Sequence, residues 1–232
     1  PSAYKALRDC PYKYYVRSLL GLREAKEFED GFDASLAGQS LHALLRNFYQ
    51  ALKTEEQKAG SQIINNTQAR RMWMERELSA ISEKEFKRLI EGDSRVLGTL
   101  RDWQKQIPSF VAWQLQREAS GWRYHNAEHK VGFDLHFADL DGEHRIIRIE
   151  GRADRFDVNI QSVGQSEVID YKNQSMTKIK KRAEHVLDDP QLLIYARASN
   201  ESKKIPGRTV NAAEWVALKA DVKKGGDEAE RS

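Results

Sequence analysis

Two carboxylates and an amine in the second half of the chain have the residue types and spacing of a hydrolytic metal site. Asp170, Tyr171 and Lys172 end an apolar run, which predicts a strand with Asp170 and Lys172 on the same side. Asp154 ends the preceding predicted strand, so a tight β connection would set its carboxylate beside that of Asp170. Adjacent carboxylates repel one another, and Mg²⁺, which prefers oxygen ligands, removes that repulsion. A lysine that holds or helps to deprotonate water, or offsets charge on a phosphate, would complete a site for phosphodiester hydrolysis.

The same residues also allow a simpler interpretation. An acidic residue two positions before a lysine occurs seven times in the chain, so the tripeptide alone decides nothing. Asp170 or Asp154 could instead form a salt bridge with a nearby lysine or arginine on the surface of a sheet. Both interpretations remain open at this point.

The first half of the sequence is mainly helical. A buried stripe of Leu41, Leu45, Phe48 and Leu52 predicts a helix from about 36 to 52, with His42 beside the stripe. Helical patterns continue over 67–92 and 95–119, after a polar connection at 53–65. Two short helices are predicted within residues 1–26, interrupted at Pro11 and Gly21.

The second half changes to strand periodicity. Strands are predicted at 131–137, 144–154 and 166–172, with a hairpin turn at Asp141-Gly142, followed by a helix over 187–199 and a strand over 214–219. This order favours an α/β (α+β) class with a small central mixed sheet flanked by helices. We predict a single domain over 1–232, with a helical part at 1–119, a sheet core at 120–220 and a frayed tail at 221–232.

Composition narrows the class of protein. The 232 residues are 40% apolar and carry a net charge of only +3, and no run approaches the roughly 18 apolar residues of a membrane span. Cys10 is the single cysteine, which excludes an intramolecular disulfide and suits a reducing compartment such as the cytoplasm. The start at Pro1, without an initiator Met, suggests a domain excised from a longer chain.

Five segments together resemble a known family. GRADRFD, EVIDYKNQ and QLLIY are similar, in this order, to the signature of the PD-(D/E)XK nuclease superfamily, above all its RecB and AddB-type exonuclease domains. The opening segment, with its Cys-Pro-aromatic step before Leu-Gly-Leu, resembles the opening motif of that branch, and GQSLHALLRNFY resembles its Gly-x-x-x-His helix. The resemblance spans Ser2 to Tyr195 and implies a restriction-endonuclease-like core.

The resemblance implies a role for each matching residue. It implies a Mg²⁺ or Mn²⁺ ion bound by His42, Asp154, Asp170 and the backbone carbonyl of Tyr171, with Lys172 as the catalytic lysine. Gln191 and Tyr195 share a helix face that the family places beside the active site. Glu128, at the head of the first predicted strand, matches an acidic residue that the family often has at that position, and it is a weaker candidate, for a second metal or for water-mediated support.

Two further features bear on cofactors and partners. Many relatives bind an iron–sulfur cluster through four cysteines, which one thiol cannot supply, so no such cluster is expected here. Immediately after the catalytic strand comes a basic run formed by Lys178, Lys180, Lys181 and Arg182. It could be a solvated charged loop, but its position next to Lys172 favours contacts with DNA phosphates, made without sequence preference.

The prediction is a Mg²⁺- or Mn²⁺-dependent deoxyribonuclease, exonucleolytic and engaged in DNA repair or recombination. The family resemblance implies 5′-phosphate and 3′-hydroxyl products, and a place at the C-terminal end of a helicase-related chain or beside a helicase subunit. One alternative is a DNA-binding or assembly module that keeps the fold without catalysis. Another is a nuclease that acts on RNA.

Overall fold

The fold is described from a computed structural model that covers residues 2–22, 34–138, 141–184, 189–201 and 209–220. The predicted tail at 221–232 and the first residues of the helix predicted at 187–199 lie outside these ranges. The α-helices of the described part are α1 (Ser2–Asp9), α2 (Pro11–Tyr14), α3 (Ala34–Glu56), α4 (Thr67–Gly92), α5 (Val96–Ala119), α6 (Met176–Glu184) and α7 (Gln191–Glu201). A π-helical segment, Tyr15–Leu19, follows α2. None of these helices is long and apolar enough to cross a membrane.

A mixed sheet forms the second half of the chain. Its described strands are β1 (Trp122–Ala138), β2 (His144–Asn159), β3 (Gln165–Ser175) and β4 (Thr209–Lys219), and they lie in the order β1-β2-β3-β4. The first three strands form an antiparallel meander, whereas β4 runs parallel to β3. A parallel neighbour requires a long crossover, which here contains α6 and α7. The predicted α/β class with a small mixed sheet is confirmed.

Helices cover both faces of this sheet. The apolar stripe of α3 is buried as predicted, and it packs with α4, α5 and the residues Ile169, Tyr171, Val216 and Leu218 of the sheet. On the other face, α7 packs its residues Ile194, Tyr195 and Ala198 against β1, β2 and β3. The sheet is therefore held between a helical layer from the first half of the chain and a helix that follows the third strand.

The structure differs from the sequence prediction at several element boundaries. Strand β2 continues past residue 154 to Asn159, and β4 begins at Thr209 rather than at residue 214. Strand β1 begins at Trp122 rather than near residue 131, because its first residues pair with the end of β2, from Trp122 opposite Asn159 onward. A register shift between Tyr124 and Asn126 breaks the alternation of apolar residues there, so hydropathy alone does not reveal the strand. Helix α3 also continues to Glu56, into the segment predicted as a polar connection.

Candidate active site and metal centre

The register of the sheet brings the acidic residues together. Arg155 pairs with Ile169 across β2 and β3, so the preceding residue Asp154 lies beside Asp170. On the other side of β2, Ala127 of β1 pairs with Arg155 and His129 pairs with Ala153. Glu128, between them, therefore lies opposite Asp154. Glu128 has a φ of 51°, a left-handed conformation that is rare for a non-glycine residue in a strand. Such local strain is often found at functional sites.

Helix α3 adds an imidazole to these carboxylates. His42 Nδ1 lies 3.2 Å from Oδ1 of Asp154. His42, Glu128 and Asp154 each offer a ligand atom, these atoms all lie within 4.8 Å of one another, and the three residues are half-buried. Burial opposes the charged form of His42, but the hydrogen bond to Asp154 and the charge of that carboxylate outweigh it and raise the pKa of His42 above its usual value. One imidazole and two carboxylates are an ordinary donor set for a divalent cation.

Tyr171 adjoins this cluster through its backbone. Its N–H donates to Oδ2 of Asp154 at 2.8 Å, so the two oxygens of Asp154 face Tyr171 and His42 respectively. The neighbours of Tyr171 in β3 are Asp170 and Lys172, which the sequence predicts to lie on one side of the strand. The structure places them in contact, with the Lys172 ammonium against Oδ2 of Asp170.

Gln191, the first residue of α7, forms hydrogen bonds with Lys172, Asp170 and Tyr195. Its Oε1 accepts a hydrogen bond from Lys172 Nζ at 2.7 Å. Its Nε2 donates to Oδ1 of Asp170 at 2.8 Å and to the hydroxyl of Tyr195 at 3.0 Å. One amide therefore sets the positions of the lysine, the carboxylate and the tyrosine. Burial raises the pKa of Tyr195 to about 12, so this hydroxyl remains protonated at neutral pH.

The surroundings of Asp170 disfavour its ionised form unless a cation lies nearby. It is only 1% exposed. Burial, and after it the charge of Asp154, raise the pKa of Asp170 to about 6, although Lys172 and His42 act in the opposite direction. A divalent ion at this position would favour the ionised carboxylate by direct charge attraction. The donors present therefore fit a hard divalent cation.

A glycine in β2 makes room for Tyr195, and this leads to a testable prediction. A Cβ atom on Gly151 would clash with Cε1 of the Tyr195 ring, a contact that the buried ring cannot accept without moving. We expect Gly151→Ala to lower the free energy of unfolding by about 1–3 kcal/mol, as measured by urea denaturation. Gly98→Ala is the control, because a Cβ there meets nothing within 4 Å and alanine favours the helix α5. Equal stability of the two variants would contradict this account of the packing.

The basic run after β3 is helical, which excludes the alternative of a charged loop. It forms α6, in which Lys178, Lys180 and Lys181 are exposed. Arg182 is half-buried, with Nε 3.0 Å from Oδ2 of Asp189 and the guanidinium 5.6 Å from the centre of the Trp215 ring. The three lysines thus remain candidates for contacts with phosphate, whereas Arg182 links α6 to the segment before α7 and to β4.

Sequence reasoning missed a buried charged cluster next to the site. Arg155, which follows Asp154, forms a bidentate ion pair with Asp157 inside the protein, and Tyr49 and Gln114 complete the cluster. The signal in the sequence is an arginine and an aspartate that lie two residues apart directly after a predicted strand, next to the apolar residues Phe156 and Val158. Strand alternation places both on one face, and burial of that face requires them to pair.

The family model described as PD-(D/E)XK nuclease superfamily matches residues 1–231 of the chain. A comparison with curated proteins found no match. The mixed sheet flanked by helices agrees with the restriction-endonuclease-like fold of that superfamily.

Proposed function

Because this chain belongs to the PD-(D/E)XK nuclease superfamily, we propose that it is a divalent-metal-dependent deoxyribonuclease of the RecB and AddB type. The family match supports the coarser assignment, a metal-dependent nuclease. The observation that carries the proposal is the convergence of His42, Glu128 and Asp154, beside the contact between Asp170 and Lys172. An imidazole and two carboxylates that could hold a divalent cation, with a further carboxylate and an amine beside them, suit metal-dependent hydrolysis of a phosphodiester.

The proposed ligands of Mg²⁺ or Mn²⁺ are His42, Asp154, Asp170 and the backbone carbonyl of Tyr171, with Glu128 as a further donor. When bound, such an ion acts as a Lewis acid on the phosphate and makes water a stronger nucleophile. The protein contributes the orientation of the ligands. Asp154 is held by the Tyr171 N–H, and Asp170 is held by the Gln191 amide.

Lys172 is proposed to stabilise negative charge that develops on the phosphate. Its ammonium has three N–H donors; one bonds Gln191, and the ammonium also forms an ion pair with Asp170. A phosphate oxygen would accept from a remaining donor. Because the amide and the carboxylate already orient the ammonium, little reorganisation is needed when the charge develops.

DNA is the proposed substrate, bound without sequence preference. The exposed lysines of α6, a helix that begins shortly after Lys172, would contact phosphates, so binding should weaken as the salt concentration rises. The similarity to RecB and AddB-type domains supports an exonuclease of DNA repair or recombination, with a helicase subunit or a helicase-like region of the same chain as its partner. A single cysteine is compatible with a cytoplasmic location.

Cleavage assays test the proposal directly. We expect the purified protein with Mg²⁺ or Mn²⁺ to degrade end-labelled linear DNA, to leave 5′-phosphate and 3′-hydroxyl ends, and to spare closed circular DNA of the same sequence. A chelator should abolish cleavage, because without the ion the ligands have no Lewis acid to position.

Each of the other outcomes would favour a different function for this protein. A gel shift with DNA but no cleavage under any divalent metal would favour a DNA-binding or assembly module. Cleavage of RNA with DNA spared would favour a ribonuclease, and cleavage of closed circles would replace the exonuclease by an endonuclease.

A further inference from the structure

Arg155 is a buried guanidinium to which the proposed chemistry gives no role. It is 1% exposed and follows Asp154 directly in β2. Its Nε and Nη2 donate to the two carboxylate oxygens of Asp157 at 2.5 and 2.6 Å. Apolar residues of similar volume often stabilise a protein as well as a buried ion pair does, or better. Stability alone therefore does not account for an arginine at this position.

The remaining nitrogen of Arg155 joins three other elements. Nη1 donates to the hydroxyl of Tyr49 in α3, to Oε1 of Gln114 in α5 at 2.9 Å and to the hydroxyl of Tyr171 in β3 at 3.3 Å. The guanidinium carbon also lies 4.1 Å from the centre of the Tyr49 ring. One side chain of β2 thus contacts α3, α5 and β3 together.

Two of these elements carry proposed metal ligands. His42 and Tyr49 are seven residues apart in α3, so they lie two turns apart on the same side of the helix. Tyr171 lies between Asp170 and Lys172 in β3. Arg155 therefore connects the helix that supplies the imidazole to the strand that supplies the second carboxylate.

Tyr171 contacts the proposed metal ligands His42 and Asp154 directly. Its ring meets the ring of His42 edge to face, with centroids 6.3 Å apart and an interplanar angle of 82°. Its backbone N–H donates to Asp154 at 2.8 Å. Tyr171, whose hydroxyl accepts a hydrogen bond from Arg155, thus contacts two proposed ligands. Loss of groups that orient metal ligands typically lowers metal affinity about 10- to 100-fold.

We propose that Arg155 is a positioning residue that holds α3, β2 and β3 where His42, Asp154 and Asp170 can bind one ion, an inference that rests on the proposed function. A planar guanidinium has five N–H donors in fixed directions. Here Nε and Nη2 bond the carboxylate, and the two N–H groups of Nη1 are shared among both tyrosine hydroxyls and the glutamine. The ammonium of a lysine has three donors at one point and cannot reproduce this arrangement.

Arg117 of α5 offers a matched control, because it pairs with the same carboxylate as Arg155, that of Asp157. It lies 2.9 Å from Asp157, 2.5 Å from Glu167 and 3.2 Å from Glu214. Among the described residues, its hydrogen bonds reach neither Tyr49 nor Tyr171. Its loss removes the ion pair of the buried Glu167 and one of the two arginines that bond Asp157, whereas the hydrogen bonds of Arg155 to Tyr49 and Tyr171 are kept.

The test compares Arg155→Met, Arg155→Lys and Arg117→Met by melting temperature, by calorimetric titration with Mn²⁺ well below melting, and by hydrogen exchange in metal-free protein. We expect both Arg155 variants to bind Mn²⁺ about 10- to 100-fold more weakly. Exchange should become faster in α3 and in β3 together. We expect Arg117→Met to lower the melting temperature as well, but to change the Mn²⁺ affinity by less than about twofold, because its hydrogen bonds reach neither Tyr49 nor Tyr171.

Several outcomes would overturn the inference. Unchanged Mn²⁺ affinity in the Arg155 variants, or an equal loss in Arg117→Met, would leave Arg155 with a structural role only. If Arg155→Met does not fold, Arg155→Lys decides by the same criteria. If the unaltered protein binds no Mn²⁺, the proposed function fails, and hydrogen exchange then still decides whether Arg155 connects α3 to β3.

Discussion

Replacement of Asp170 by alanine is expected to abolish metal-dependent cleavage of DNA, with a loss of about three orders of magnitude or more. The carboxylate is buried beside Asp154, and these two effects raise its pKa to about 6 in the metal-free protein. A carboxylate in such a position is a strong ligand for a cation, because the ion relieves the repulsion between the two acids. Alanine removes the proposed ligand and keeps the exposed lysines of α6 that are proposed to contact DNA phosphates. DNA affinity, measured by fluorescence anisotropy in Ca²⁺, should therefore change by no more than about threefold.

Asp102→Ala is the matched control for this experiment. Asp102 is exposed in α5, and its ion pair with Lys105 is long, at 3.9 Å, so its loss should affect neither cleavage nor stability. Titration with Mn²⁺ adds a second measurement, in which Asp170→Ala should lose affinity and Asp102→Ala should not. Cleavage by Asp170→Ala at the rate of the control would remove Asp170 from the mechanism.

Replacement of Lys172 by methionine is expected to separate cleavage from metal binding. The ammonium contacts Asp170 and Gln191 and is proposed to donate to the phosphate, so its loss should lower the cleavage rate about 100- to 1,000-fold. The metal site, in contrast, loses a neighbouring positive charge. Mn²⁺ affinity should therefore stay the same or increase, since like charges repel.

The opposite effects on metal affinity distinguish the two variants. Asp170→Ala should lose both cleavage and Mn²⁺ affinity, whereas Lys172→Met should lose cleavage alone. Lys105→Met, at an exposed position in α5, controls for the change from lysine to methionine. If Lys172→Met loses Mn²⁺ affinity to the same degree as Asp170→Ala, the lysine maintains the site and has no separate part in the chemistry.

Much of the fold could be predicted from the sequence, because its elements have strong local signals. The stripe of Leu41, Leu45, Phe48 and Leu52 has the period of a helix and is buried in α3. Alternation in β3 places Asp170 and Lys172 on one side, and the structure has them in contact. Such periods depend on backbone geometry alone, so they can be read without knowledge of distant neighbours.

Other features had no local signal. The first residues of β1 carry few apolar side chains, and their pairing with β2 is what makes them a strand. Helix α6 has Ile179 as its buried residue, and its neighbour Trp215 comes from β4. In both cases a contact with a remote segment decides the conformation, and propensity over a short window cannot represent it.

The sequence by itself determined which groups are available: the imidazole of His42, the carboxylates of Asp154 and Asp170, and Lys172, each on a helix or strand with a readable period. The tertiary structure alone decided that they meet. His42 and Asp154 are brought within 3.2 Å by the packing of α3 near the meander, and Gln191 reaches Asp170 and Lys172 because α7 packs back across it. The physical reason is that distances between elements depend on the packing of side chains from the whole chain. Arg155, with its contacts in four elements, shows this most directly.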